Sequence, residues 1–317
     1  MLVDGHDPRV TLLEMLDISA CRVEYSNTPI VLLCGGLVKS KPTPESPDPP
    51  VASLRHAVTK FHTAYEIFRP EEISSWHADG VFKNLMSFEL ELAAICSLVV
   101  IILESEGAIA ELGAFSQFPE LGDKLIAICP EHFRNATSFI NLGILRFIVA
   151  KESTNVKSYP WDPKKVPFEI PQEIVEDAAA DIQVELDKLQ KTQILKVTHY
   201  SHVAVLVCEL LRLFTALKES EILEYLNFLG AGVTRESLKG KLFLLTEFRL
   251  VKIQHYSDAH FYLRGNEPYH KLRLAPKDSS KPLDLLRIEM ECLEYYKNNS
   301  KHRNRNRAIL QASGASR

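Results

Sequence analysis

The sequence predicts an α/β fold: a doubly wound parallel sheet followed by an α+β winged-helix domain. Three observations lead there. Residues 29–33 and 98–103 are unbroken aliphatic runs bounded by turn residues, the pattern of strands covered on both faces of a parallel sheet. Such runs alternate with amphipathic segments of helical period through the first half of the chain. From about Thr198 the character changes to three helical segments and then two short alternating strands, the order of a winged helix.

The elements follow in order. The strand at 29–33 ends on Cys34-Gly35-Gly36, a glycine turn. Residues 39–50 carry prolines at 42, 44, 47, 49 and 50, which exclude helix and central strand, so this stretch is an extended surface loop. A helix is expected over 53–62, with Leu54, Ala57, Val58 and Phe61 on one face, then a strand at 65–68 stopped by Pro70. Residues 84–96 place Leu85, Phe88, Leu92 and Ile95 on one helical stripe. A helix opening at Gly107 runs to 118 after the strand at 98–103, and further strands are expected at 124–128 and 145–150. These elements make residues 1–150 the first domain, 151–195 a linker and charged helix, 196–275 the winged helix, and 276–317 a closing helix with a basic tail, 301–307.

Composition excludes several classes. Apolar residues are 46% and charged residues 25% of the 317, ordinary for a globular protein. No apolar run reaches the roughly 18–20 residues that cross a bilayer, and residues 1–10 lack a signal-peptide pattern, so a cytoplasmic bacterial protein without membrane contact is expected. A net charge of -4 argues against nucleic-acid affinity spread over the whole surface. The six cysteines show no Cys-x-x-Cys and no zinc-ligand spacing, so reduced thiols and no metal site are expected. His56, His62 and His77 are scattered and read as ordinary core or surface residues. Without a Gly-x-Gly-x-x-Gly after the first strand, a dehydrogenase-type dinucleotide fold is set aside.

Open α/β sheets bind ligands beyond the carboxyl ends of their strands. Gly35 and Gly36 after the first strand allow close backbone approach to sugar or phosphate. After the most buried strand comes Glu104-Ser105-Glu106-Gly107, then Glu111 one turn into a helix of small apolar residues, where an unpaired carboxylate is costly. Glu89, at the edge of the 84–96 stripe, is the second candidate carboxylate. A carboxylate pair suits N-glycosidic cleavage: one supports or attacks the anomeric carbon, and the other protonates or orients the leaving base.

Taken together, Leu33-Cys34-Gly35-Gly36, the run 99–103, Glu104-Ser105-x-Gly107 with Glu111-Leu112-Gly113-Ala114-Phe115-Ser116, and Ser138-Phe139-Ile140-Asn141-x-Gly143 resemble the retron-associated effectors of bacterial anti-phage systems. Those proteins join a nucleoside 2-deoxyribosyltransferase-like domain to a winged helix. The resemblance implies a nucleophilic Glu at Glu111, a helical acid at Glu89, and substrate contacts at Cys34, Gly35, Gly36, Ser105, Gly107 and Asn141, the last reaching a neighbouring subunit's site. Ser105 stands where the transferases carry Asp, and Ala108 where they carry a hydroxyl. That departure points away from transfer between bases and toward hydrolysis; the resemblance to the effectors implies NAD as the substrate, and no cofactor. The implied partners are a retron reverse transcriptase and its RNA-linked DNA (msDNA), within a homo-oligomer or filament. The alternative is a DNA-binding regulator or adaptor whose first domain senses a nucleotide. Its nucleic-acid contacts would be Arg235, Lys239 and Lys241 on the third helix, offset by Glu236 and Glu247, with Lys252 on the wing.

Overall fold

The computed structural model describes residues 7–39, 50–61, 63–73, 75 and 80–314. Most of the proline-rich loop, with His62 and His77, lies outside them. In chain order the elements begin α1 (Pro8–Met15), β1 (Arg22–Glu24), β2 (Ile30–Cys34), α2 (Leu54–Lys60), β3 (Glu66–Phe68), α3 (Leu85–Ile95), β4 (Leu98–Ile102) and α4 (Glu106–Phe115). They continue with β5 (Leu125–Pro130), α5 (Glu131–Asn135), a π-helical turn at Ile140–Leu145, α6 (Arg146–Lys151), β6 (Val156–Tyr159), α7 (Gln172–Lys188) and β7 (Thr192–Ile194). The remainder is α8 (Tyr200–Phe214), β8 (Ala216–Leu217), α9 (Glu219–Phe228), α10 (Arg235–Glu247), β9 (Val251–Tyr256), β10 (Ala259–Arg264), β11 (Lys271–Arg273), α11 (Leu285–Asn298) and α12 (Arg303–Ala312).

The chain forms two compact units. One comprises Thr28–Ser75 and Leu85–Leu189; the other takes the described residues of Met1–Asn27, Trp76–Asn84 and Gln190–Arg317.

The first unit is built on a five-stranded parallel sheet of order β3-β2-β4-β5-β6. β2, β4 and β5 are buried along their whole lengths, as continuous aliphatic runs require in a doubly covered sheet. One core layer joins Val31, Leu33, Val100, Ile102, Ile126 and Ile128 from alternate strand positions to Leu54 and Val58 of α2 and to Ile174, Ala178 and Ile182 of α7. The chain reverses its direction of strand addition between β2 and β4, so their carboxyl ends flank the switch point where such sheets open a crevice.

Two expectations change here. Residues 145–150 are not a strand: Leu145 and Ile148 are the buried pair, spaced by three, and the segment is helical. The fifth strand is β6, which pairs with β5 in register Ala127 to Val156. β6 and α7 therefore belong to this unit, in a stretch expected as a linker and a charged helix; the helix is α7. All six cysteines are unpaired, and five are buried.

In the second unit, α8, β8, α9, α10, β9 and β10 follow one another, and β10 pairs antiparallel with both β8 and β9 in the order β8-β10-β9. Thr234 caps α10 by accepting a hydrogen bond from the Ser237 amide. The β9–β10 hairpin turns through Ser257, whose φ of 56° lies in the left-handed region. A second small sheet, β11-β1-β7, is antiparallel throughout.

Part of the basic stretch 301–307 is helical, and one of its arginines is buried. Residues 303–312 form α12, and Arg305 is 2% exposed. Its guanidinium donates to Glu221 Oε1 at 2.5 Å, an oxygen that also accepts from Arg9 at 2.8 Å. Arg9 in turn holds Asp7 at 2.6 Å. Glu221 thus ties the amino-terminal helix and the carboxyl-terminal helix to α9. Removing one partner of a buried ion pair leaves an uncompensated charge away from water. Replacing Glu221 with Ala leaves the buried Arg305 guanidinium without its carboxylate, while Arg9 keeps Asp7, and is expected to destabilise this unit by about 3–5 kcal/mol in denaturant titration. Burial opposes ionisation of Glu221, but Arg305 and Arg9 more than offset it and hold the carboxyl below its usual range. Its contribution is therefore present above the ordinary carboxyl range and fades as pH falls through the depressed value.

Candidate active site

The carboxyl ends of β2 and β4 are joined by a single carboxylate. Glu104, just past β4, accepts hydrogen bonds from the Gly36 amide at 3.1 Å, the Leu54 amide at 2.8 Å and the Arg55 amide at 2.9 Å. These donors are a glycine turn and the first turn of α2, whose N–H groups are left open by the helix. Burial pushes the Glu104 carboxyl up, and the three amides and Arg55 pull it back. Gly36 is obligatory for this contact: a Cβ there would stand 2.8 Å from Glu104 Cγ and 2.9 Å from Ser53 Cβ.

Arg55, on α2, is buried and aims inward. Its Nε donates to the Leu33 carbonyl at 2.9 Å, its Nη1 to the Gly36 carbonyl at 3.3 Å, and its Nη2 to Glu71 at 2.7 Å. Glu71 sits on a short turn, Pro70–Glu72, after β3 and is half-exposed. The guanidinium also acts on Glu89 and Glu111, favouring the charged form of each.

Glu89 lies on α3 and is 7% exposed. The predicted stripe is rotated: Leu85 is exposed, while Phe88, Glu89, Leu92 and Ala93 face inward. Burial and then repulsion from Glu111 raise its pKa to about 7. Lys124 fixes the end of this helix. Its buried ammonium donates to the carbonyls of Ala93 at 2.8 Å, Ala94 at 3.0 Å and Cys96 at 2.9 Å, filling the acceptors that the last turn leaves open. Burial lowers the Lys124 pKa to about 8.

Glu111 stands on α4. Burial pushes its carboxyl up, against pulls from Arg55 and from a hydrogen bond with the Cys34 thiol. Its Oε2 is buried with no hydrogen-bond partner. Cys34 is fully buried beside it, and burial holds that thiol neutral, well above its usual range.

The other predicted residues divide. Ser105 caps α4, accepting from the Ala108 amide at 3.2 Å and donating to the Gly35 carbonyl at 3.2 Å. The helix therefore begins at Glu106 on a serine cap rather than at Gly107, which is exposed in its first turn. Cys34, Gly35, Gly36, Ser105, Glu89 and Glu111 are brought together around Arg55. Asn141 is spent locally: its amide donates to the carbonyls of Arg134 at 2.6 Å and Ala136 at 3.0 Å. His56 is a core residue that accepts from the Ala52 amide through Nδ1 at 3.2 Å. Sequence reasoning missed Arg55, Glu71, Lys124 and the tie made by Glu104. A carboxylate directly after a doubly buried strand was the available signal for Glu104; Arg55 looks like any charged residue of a helix.

The sequence matches a known family over 203 residues: the model of the STM3845 retron effector protein aligns with residues 51–253. The chain belongs to the STM3845 retron effector family. A putative ribosyltransferase/DNA-binding protein of retron Ec86 from Escherichia coli is 32% identical to this effector over 130 residues, 40% of this chain and 39% of that relative. The corresponding protein of retron Ec73, also from Escherichia coli, is 38% identical over 70 residues, 22% of each chain. The aligned stretches span well under two thirds of either relative. No helix among the effector's described residues is long and apolar enough to cross a membrane.

The raised Glu89 pKa sets a pH signature. The folded state holds this proton more tightly than the unfolded chain, so stability falls as pH rises from the ordinary carboxyl range through about 7. Glu89→Gln is expected to raise stability at pH 8 by about 1–3 kcal/mol and to flatten that decline, as read from denaturant midpoints across pH.

Proposed function

We propose that this retron effector hydrolyses an N-glycosidic bond of a nucleotide, with NAD as the substrate and nicotinamide and ADP-ribose as products. The observation that carries this reading is the charge-coupled pair Glu89 and Glu111 at the switch point of the sheet, one oxygen of Glu111 being buried and unengaged. Two carboxyl groups held at different proton affinities divide the roles of nucleophile and acid. The printed names of the Ec86 and Ec73 relatives, putative ribosyltransferases, support the same bond class.

In this mechanism Glu111, ionised and oriented by the Cys34 thiol, attacks C1′ of the ribose. The N-glycosidic bond breaks and its electron pair goes to the ring nitrogen, so the nicotinamide leaves neutral and needs no proton. Water then attacks C1′ of the glycosyl–enzyme ester, freeing the Glu111 carboxylate; the water's proton passes to the ionised form of Glu89 and on to solvent. Gly35 and Gly36 offer the sugar a close backbone approach, and Ser105 and Gly107 line the amino end of α4; Asn141, whose amide nitrogen is engaged locally, offers its side-chain oxygen to the site of a neighbouring subunit in a homo-oligomer or filament. A serine at position 105 serves as a helix cap, which fits water rather than a second base as acceptor.

Partners in this reading are the retron reverse transcriptase and its msDNA, in the bacterial cytoplasm. The order α8, β8, α9, α10, β9, β10 with its three-stranded antiparallel sheet supports a winged helix. The relatives' names also say DNA-binding, which supports a second reading: a DNA-binding regulator or adaptor whose first domain senses a nucleotide. Lys241 does not serve it as expected, because it is 2% exposed with its ammonium 4.4 Å from the centre of the Tyr200 ring.

Incubation of the assembled protein with NAD is expected to release nicotinamide, and Glu111→Gln to lower the rate by at least about 10³-fold with an unchanged unfolding midpoint. Absence of release from NAD, nucleotides and nucleosides by the assembled complex contradicts the enzymatic reading. Nucleotide binding without turnover favours the regulator.

A further inference from the structure

The carboxyl-terminal stretch has a charge pattern that the catalytic site does not use. From Lys297 to Arg317 there is no Asp or Glu, while Lys297, Lys301, Arg303, Arg305, Arg307 and Arg317 are basic. Its fold sorts these charges. Arg305 points inward to Glu221, and Ala308 packs with Ala216, Phe261 and Leu263. Arg303 and Arg307, one helical turn apart, are exposed on the opposite ridge.

α12 is fastened along β9. Arg307 Nη1 donates to the Tyr256 hydroxyl at 2.9 Å with its guanidinium 5.9 Å from the centre of that ring, and Gln254 Nε2 donates to Gln311 at 3.2 Å. Residues 252, 254 and 256 share a strand face by their period of two, so Lys252 continues the line of Gln254 and Tyr256 beside the helix. Its cross-strand partner, Leu263, lies in the cluster under α12. The helix α10, by contrast, has its basic residues engaged. Arg235 is paired with Glu219 at 2.5 Å, and Lys241 is buried on Tyr200, leaving Lys239 between Glu236 and Glu247 in sequence.

We propose that α12 and the adjoining β9 edge form a docking face for a nucleic-acid phosphodiester backbone, with Arg303, Arg307 and Lys252 contacting phosphates. An acid-free row of guanidinium forks on a helix anchored from its opposite side matches the geometry of phosphate oxygens, and the contacts to Tyr256 reduce the freedom lost on binding. The face reads charge rather than sequence, since phosphate contacts position a protein without specifying bases. This assignment is independent of the glycosidase reading.

The test uses the full-length protein and labelled oligonucleotides of about 20 nucleotides, as single-stranded DNA, duplex DNA and RNA, across about 50–300 mM salt. Wild-type protein is expected to bind at least one probe with steep salt dependence. The double variant Arg303→Gln, Arg307→Gln is expected to bind about tenfold or more weakly, with the log–log salt slope reduced by about 1.5–2. Lys239→Gln is expected to stay within about twofold of wild type. An unchanged unfolding midpoint and unchanged nicotinamide release in the double variant separate this effect from loss of fold or of the catalytic site. The assignment is overturned if the double variant binds like wild type, if Lys239→Gln costs more than the double variant, or if no probe is bound, the last outcome leaving the basic face to an acidic protein surface.

Discussion

The Glu104 carboxylate holds the carboxyl end of the sheet in one piece. It sits one residue pair beyond the buried β4 strand and gathers three amides from the segment that follows β2. Without that tie, three amides of the glycine turn and the start of α2 would lose their acceptor. With it, Arg55 is carried inward to a position where its guanidinium meets two backbone carbonyls and Glu71. The placement of Arg55 then decides how much negative charge the crevice tolerates, because the same cation favours ionisation of both Glu89 and Glu111. A glycine at 36 is the steric condition for all of this, since any side chain would fall on Glu104 or Ser53.

Around this tie, the two carboxyl groups acquire different characters from ordinary forces. Glu89 is more deeply placed and feels Glu111, so it keeps a proton near neutrality. Glu111 is supported by a buried thiol and by Arg55, and its second oxygen is left without a partner. A buried acceptor without a donor costs on the order of 1–3 kcal/mol in a folded protein. That cost persists at a site whose ligand supplies the missing contact or the reacting atom. Lys124 contributes from the rear, capping α3 with an ammonium where the sequence has no glycine to end the helix.

Much of this was legible in the chain. The doubly buried strands β2 and β4 announce themselves by six or fewer uninterrupted aliphatics, and the carboxylate of Glu111 stands out because it interrupts a small-residue helix after such a strand. Other features had no local signature. Residues 145–150 read equally as strand or helix, since a short apolar run has no decisive period, and only pairing of β5 with β6 settles which segment completes the sheet. The face of α3 was misjudged by a small rotation, because its amino end is apolar yet exposed at Leu85 and Met86. Lys241 and Arg305 are cations that pack inward against aromatic rings, a tertiary choice that charge counting along the chain does not reveal.

The account rests on Glu111 forming a bond to the sugar, and trapping that bond tests it most directly. The assembled effector would be treated with an NAD analogue carrying fluorine at the 2′ position of the nicotinamide-bearing sugar, which slows hydrolysis of a glycosyl ester, and its peptides analysed by mass spectrometry. The account predicts a single adduct on the peptide containing Glu111, lost in Glu111→Gln. Steady hydrolysis of NAD by Glu111→Gln, or an adduct on another residue that survives this substitution, would contradict it.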